Sequence, residues 1–254
     1  MSDPSINDAV LYSVTDSVAT ITLNRAAARN ALDTAMCESL YRAAANAARD
    51  ERVKLVLVSA NGPVFCAGAD LKERQGMSED QVRARRVKAF AAYDAIERLP
   101  MPAIAVVTGA AVGSGVEIAA ACDFVIATPD ASFRTPEALW GTVGATQRLP
   151  RILGKRLAKD MMFTGRKLSV EEARDAGLVA RIVALADMEA TLGAIIQTVT
   201  AASRTSMRLA KRCIDEGLER DPRGALATEL LAIEENLAHA DWGAGVAGFG
   251  GAKG

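Results

Sequence analysis

The stretch MPAIAVVTGAAVGSGVEIAAACDFVIAT, residues 101–128, constrains this chain more than any other. It opens with a strand of buried type over 101–109, passes Gly113 and Gly115 into a short apolar helix, and returns to a strand over 122–128. Strands joined through a helix call for parallel pairing with a crossover. The same alternation recurs upstream. TAMCESLYRAAANAARD, 34–50, sets Met36, Leu40, Ala44 and Ala47 on one helical face; KLVLVSA, 54–60, is a short buried strand; and 78–98 is a charged helix ending before Pro100. Apolar runs over 9–14 and 17–23, split at Thr15-Asp16, predict an N-terminal hairpin. Beyond about Gln147 the pattern turns helical, over 155–164, 169–175, 187–200, 203–217 and 225–239, with GLVARIV, 177–183, as the one expected strand. The fold class is therefore α/β, with a helical C-terminal portion. No internal sequence repeat is visible. The closing GAGVAGFGGAKG is rich in glycine and without period, suited to a flexible tail or a lid that orders on ligand.

With 254 residues, half of them hydrophobic, the chain can bury a large core. Thirty basic residues against thirty-one acidic ones leave a net charge of −1, so no global field draws it to nucleic acid or to anionic membranes. Cys37, Cys66, Cys122 and Cys213 are widely spaced and form no CxxC pair, which argues against a zinc site and against a disulfide framework. No export signal and no run of about 18 apolar residues is visible, so a cytoplasmic address is expected. The single histidine, His239, reads as a helix-end cation, which leaves proton transfer to carboxylates, lysine, tyrosine or water.

Two glycine-containing loops then stand out. In FCAGADLKE, 65–73, small residues around Gly68 let a ligand approach the backbone. In GAAVGSGVE, 109–117, a strand ends and a helix begins near Ser114, leaving unsatisfied N–H groups at its mouth. One donor from each loop could clasp a single carbonyl oxygen. Each such donor is typically worth about 2.7–4 kcal/mol to an enolate-like transition state. Glu117 lies about one turn along the helix from Ser114, near the same mouth. A second carboxyl, Glu137, follows Pro136 in FRTPEALWGTVGATQRLP, although proline then glutamate is also an ordinary helix opening. The missing third glycine makes a dinucleotide loop a poor reading of GAAVGSG. The dense basic run RARRVK, 83–88, reads first as the solvated face of a helix whose Val82, Phe90 and Tyr93 turn inward and next as a contact for a ligand's phosphates, and it lacks the aromatic residues that stack on bases.

Taken in order, ITLNRAAARNAL, FCAGADLKE, GAAVGSGVEIAAACD, FRTPEALWGTVGATQRLPR and FTGRKLSVEEARDAGLVARIV resemble the crotonase superfamily, most closely its enoyl-CoA hydratases, from about residue 10 to 240. The resemblance implies a spiral of ββα units over 1–195 and a C-terminal helical region, 196–254, that mediates a homotrimer or a hexamer of paired trimers. It implies an acyl-CoA substrate and no metal or redox cofactor. The backbone N–H groups of Ala69 and Ser114 would form the oxyanion hole, with Gly113 beside it. Coenzyme A would lie along Ala67, Gly68, Ala69, Asp70, Leu71 and Lys72, with Arg25 and Lys72 near its phosphates. Trp140 would line the acyl pocket. Glu117 would activate water for attack at the β-carbon and Glu137 would protonate the α-carbon. The hydratases usually carry a turn of the form TIPGAGGTQ, three residues longer than TVGATQ, 142–147, here. Double-bond isomerisation, which uses the same oxyanion hole without water, is the nearest alternative; a non-catalytic or RNA-binding member of the fold is the next.

Overall fold

A computed structural model describes residues 7–239 together with 242–243. The chain opens with β1 (Val10–Thr15) and β2 (Val18–Leu23), an antiparallel hairpin. Its turn residues are Asp16 and Ser17, both with positive φ (47° and 67°), rather than Thr15-Asp16. Two consecutive left-handed residues match the twist of the flanking strands. Helix α1 (Thr34–Arg49) follows, capped by Asp33, whose Oδ1 accepts from the Met36 N–H at 2.7 Å; such a cap contributes about 1 kcal/mol. Met36, Leu40, Ala44 and Ala47 are all buried, as the periodicity predicts.

A structural repeat then appears that the sequence does not display. Strand β3 (Leu55–Ala60) joins one sheet, β4 (Val64–Cys66) joins a second, and the helices α2 (Leu71–Arg74) and α3 (Glu79–Glu97) follow. Strand β5 (Ala103–Val107) returns to the first sheet, β6 (Ala110–Val112) to the second, and α4 (Ser114–Ala121) follows. Strands β7 (Phe124–Ala127) and β8 (Ser132–Arg134) repeat the pattern, leading through a 3₁₀ turn at Glu137–Trp140 into α5 (Arg148–Leu153) and α6 (Lys155–Thr164). The repeat is one of backbone path, two strands and a helix per turn of a spiral. The expected strand over 101–109 forms as β5, and β6, just beyond Gly109 and in the other sheet, is a further strand that the sequence reading missed.

The first sheet has the order β1-β2-β3-β5-β7-β10 and is parallel from β2 onward; the second has the order β4-β6-β8-β9. Strand β9 (Leu168–Ser169), which the helical reading of that region missed, pairs antiparallel with β8. Helix α7 (Val170–Asp175) follows, and of the expected strand over 177–183 only β10 (Arg181–Ile182) forms. Helices α8 (Met188–Ala201), α9 (Arg204–Leu218) and α10 (Pro222–Leu237) complete the described chain. His239 sits just past α10 with Nδ1 2.7 Å from the Glu235 carbonyl oxygen, as a helix-end residue should. The glycine-rich tail, and with it the expected lid, lies almost entirely outside the described residues.

Strand alternation divides the core in two. Val56, Val58, Ala105 and Val107 face the interior of the spiral with Phe65 and Phe133, whereas Leu55, Leu57, Ile104 and Val106 face a second cluster covered by Met188 and Ile195 of α8. Strands covered on both faces read as continuous apolar runs, which is why they were visible from sequence. None of the described helices is long and apolar enough to cross a membrane.

Candidate active site

The loops after β4 and β6 lie side by side, and one cleft opens between them, α3 and the segment 136–145. Gly68 (φ 96°) and Gly113 (φ 51°) hold left-handed conformations there. A Cβ on Gly68 would stand 3.0 Å from the Val112 carbonyl oxygen and 3.9 Å from the Ser114 nitrogen, so glycine is what lets the two backbones meet.

Each loop aims one N–H at the cleft. Leu32 forms an isolated parallel bridge with Ala69: the Leu32 N–H donates to Gly68 O at 2.8 Å and the Asp70 N–H donates to Leu32 O at 2.7 Å. The flanking peptides bond toward Leu32, so the N–H of Ala69 points the other way, and it has no acceptor among the described residues. Ser114 is the first residue of α4, where an N–H has no acceptor in its own helix, and the N-cap Gly113 offers no side chain to fill that role. Both Ala69 and Ser114 line the cleft. Tyr93, a buried residue of α3, also lines the cleft, and burial above all pushes its phenol well above the usual range.

The two glutamates enter the cleft from different elements and in different condition. Glu117 is buried, with 6% of its surface exposed, and its Oε2 accepts from Arg148 Nη1 at 2.9 Å. Arg148 in turn donates from Nε to Glu97 Oε2 at 3.1 Å and from Nη2 to the same oxygen. That chain offsets what an unpaired buried carboxylate would cost and leaves Oε1 to the cleft. Glu137, on the 3₁₀ turn, has no such cation. Its Oε2 is buried without a hydrogen-bond partner among the described residues, and its carboxyl packs so closely on Gly113 that a Cβ there would collide with Oε1. Burial above all pushes the Glu137 pKa up; the Glu117 charge adds to this, while its own backbone N–H and the Arg86 charge oppose it.

Arg86 of α3 spans the cleft to the short turn after Trp140, donating to Val143 O at 2.6 Å and to Thr142 Oγ1. Within that turn Ala145 is buried in a left-handed conformation (φ 54°), a posture that usually falls to glycine. The basic run 83–88 is therefore not one solvated face. Arg83 and Lys88 pair with surface carboxylates, but Arg85 is buried against Glu73 at 2.9 Å and the Leu32 carbonyl, and Arg86 lines the cleft. Phe90, expected to turn inward, is half exposed at the cleft rim, edge-on to Tyr93 with ring centroids 5.8 Å apart.

Of the residues singled out from sequence, Ala67, Gly68, Ala69, Leu71, Gly113, Ser114, Glu117, Glu137 and Trp140 line this one cleft. Trp140 is 54% exposed at its edge. Arg25 lies elsewhere, paired with Asp33 and Asp70 at 3.2 Å each, and Asp70 also caps α2 by accepting from the Lys72 and Glu73 N–H groups. Lys72 is exposed and outside the cleft lining. Sequence reading missed Arg148, Arg86, Tyr93 and Arg74, although TQRLPR contains the first of these. The buried thiols are poor nucleophiles: burial pushes Cys37 up to about 11 and Cys66 up to about 12. Among the described residues no cluster of His, Cys, Asp and Glu gathers as a metal-ligand set.

Comparison with known proteins agrees with this geometry. The family model for enoyl-CoA hydratase/isomerase matches residues 13–251. The mitochondrial enoyl-CoA hydratase domain-containing protein 2 of Mus musculus is 37% identical, over 97% of this chain and 86% of its own. Among solved structures, an enoyl-CoA hydratase from Bacillus anthracis superposes with a TM-score of 0.91 at 34% identity, covering 95% of both chains. One from Mycobacterium smegmatis superposes equally well, with a TM-score of 0.91 at 33% identity and 95% of both chains covered. The spiral of ββα units, the two converging donor loops and these matches together make the chain a member of the enoyl-CoA hydratase/isomerase family, with the crotonase fold.

Proposed function

We propose that this protein is an enoyl-CoA hydratase, adding water reversibly to a trans-2-enoyl-CoA to give the 3-hydroxyacyl-CoA. The observation that carries the reading is the unequal pair of carboxyls facing one cleft: Glu117 matched to a guanidinium, Glu137 half-buried with its Oε2 enclosed and without a partner among the described residues. A thioester oxygen held by the Ala69 and Ser114 N–H groups would gain charge as water adds, and each donor would contribute about 2.7–4 kcal/mol to that state. Glu117, ion-paired with Arg148, takes a proton from the water attacking the β-carbon. Glu137, whose pKa burial pushes up, gives a proton to the α-carbon. Two carboxyls in contrasting surroundings are how one site holds both a base and an acid.

The remaining expectations follow from the same reading. Coenzyme A would run along Ala67–Leu71 with its phosphates outside the cleft, near exposed Lys72 rather than Arg25, whose guanidinium is already shared between two carboxylates. No metal or redox cofactor takes part, and the address is cytoplasmic. Helices α9 and α10 expose Leu218, Leu226, Leu230 and Leu231, a face suited to a trimer.

A second reading, double-bond isomerisation, is favoured by one feature, the short turn that Arg86 ties down beside Glu137. Mass spectrometry of trans-2-enoyl-CoAs and their trans-3 isomers incubated with the protein separates the two. Gain of one water by a 2-enoyl substrate is expected. Interconversion of the 2- and 3-enoyl isomers without that gain would overturn hydration and leave the carboxyls to move a proton alone.

A further inference from the structure

The charges lining the cleft are not balanced within it. Arg148 matches Glu117, and Glu73 matches Arg85. Arg74 and Arg86 also line the cleft, yet neither makes an ion pair among the described residues. Arg86 spends its hydrogen bonds on neutral acceptors, the Val143 carbonyl and the Thr142 hydroxyl. Arg74, half-buried at the end of α2, makes no side-chain hydrogen bond, and burial followed by the charges of Arg86 and Arg85 holds its pKa below the usual value. Two guanidiniums in each other's field, with the nearby carboxyl of Glu137 driven toward its neutral form, leave a surplus of positive charge that a bound anion would relieve.

The position of that surplus says which part of a ligand meets it. A group that delivers a proton to the α-carbon must face the acyl chain, and Arg86 lies close enough to Glu137 for its charge to be felt there. Arg86 also holds the turn whose Val143 lines the cleft beside Leu71 and Phe90. Arg86 thus lies near the group that faces the acyl chain, and Arg74, within its field, lines the same cleft. We propose that the acyl group bound here ends in a carboxylate, held by Arg74 and Arg86, so that the substrate class is the CoA monothioester of an unsaturated dicarboxylic acid. This rests on the acyl-CoA reading above. Guanidinium forks suit a carboxylate, and the charge-assisted bonds form away from water beside apolar side chains.

Calorimetric titration with two saturated, non-reacting ligands of matched shape tests the proposal: glutaryl-CoA, and 5-methylhexanoyl-CoA, in which two methyls replace the carboxylate oxygens. Glutaryl-CoA is expected to bind about tenfold more tightly or better, the advantage shrinking as salt rises. Arg74→Gln should bring the ratio of the two affinities close to one, and Arg74→Lys should retain part of it. Equal affinities in the parent protein would overturn the proposal. So would an Arg74→Gln variant that weakens both ligands alike and keeps their ratio, since Arg74 would then be reading a phosphate of coenzyme A. If neither ligand binds, the acyl-CoA reading itself falls, an outcome separate from loss of the preference alone.

Discussion

The two walls of the cleft present the same side chain in opposite ways. On the α4 wall, Glu117 sits in a regular helix and is fixed by Arg148, which is fixed by Glu97, so an ion-pair chain sets its position. On the opposite wall, Glu137 sits on a single 3₁₀ turn between β8 and α5, and shape rather than charge confines it: Gly113 touches one oxygen and the other has no partner. A carboxyl held by a cation suits a base, and one held by exclusion of water suits an acid. The difference teaches that role is assigned by surroundings that lie far apart in sequence.

The strongest way to break the comparison is to remove each acidity in turn. Glu117→Gln and Glu137→Gln should each lower kcat by about 10²–10⁴-fold while acyl-CoA binding stays measurable by calorimetry. Full turnover in either variant would end the two-carboxyl account. Next comes shape. Gly113→Ala would drive a methyl into Glu137 Oε1 and force an L-residue to a positive φ, so turnover should drop by about 10²-fold, with a smaller fall in Tm. If Gly113→Ala works normally, Glu137 is not confined as described.

Charge on the other wall is tested by Arg148→Ala, which strands Glu117 with 7% of its side chain exposed. Urea denaturation should show a loss of about 3 kcal/mol, with kcat down about tenfold and Arg148→Lys recovering part of both. The smallest expected effect concerns pH. Because the folded-state pKa of Glu137 is raised by burial, its contribution to stability is full below the ordinary glutamate range and is lost as pH rises through the raised value. Tm should therefore sag over that interval in the parent protein and less so in Glu137→Gln. The same titration should lower the hydration rate on its alkaline side, where the acid is spent.

What the sequence made legible follows the range of the interactions involved. The face of α1 and the apolar strands β3, β5 and β7 repeat within a few residues, and the donor loops announce themselves through glycine beside a strand end. By contrast β4, β6 and β8 are three residues each, too short to establish a period of two, so the second sheet went unseen. Arg85 looks like any cation in RARRVK, because the Glu73 that buries it lies twelve residues upstream on another helix. Arg148 reaches Glu117 across thirty-one residues and three elements, and nothing local marks it. The glutamates themselves were found through the company of their motifs; that one would be paired and the other left alone required the fold.

The bridge at Leu32 gives the loop carrying Ala69 a property that can be followed in time. The amides of Leu32 and Asp70 are engaged with backbone carbonyls on a loop held from both sides, whereas the Ala69 amide between them is open to the cleft. Deuterium should enter at Ala69 quickly and at Asp70 and Leu32 slowly, even though Ala69 and Asp70 are adjacent on the same ordered loop. If a thioester oxygen accepts from Ala69 as proposed, the fast site should become a slow one on binding. A single amide thus reports occupancy of the pocket, with no turnover needed.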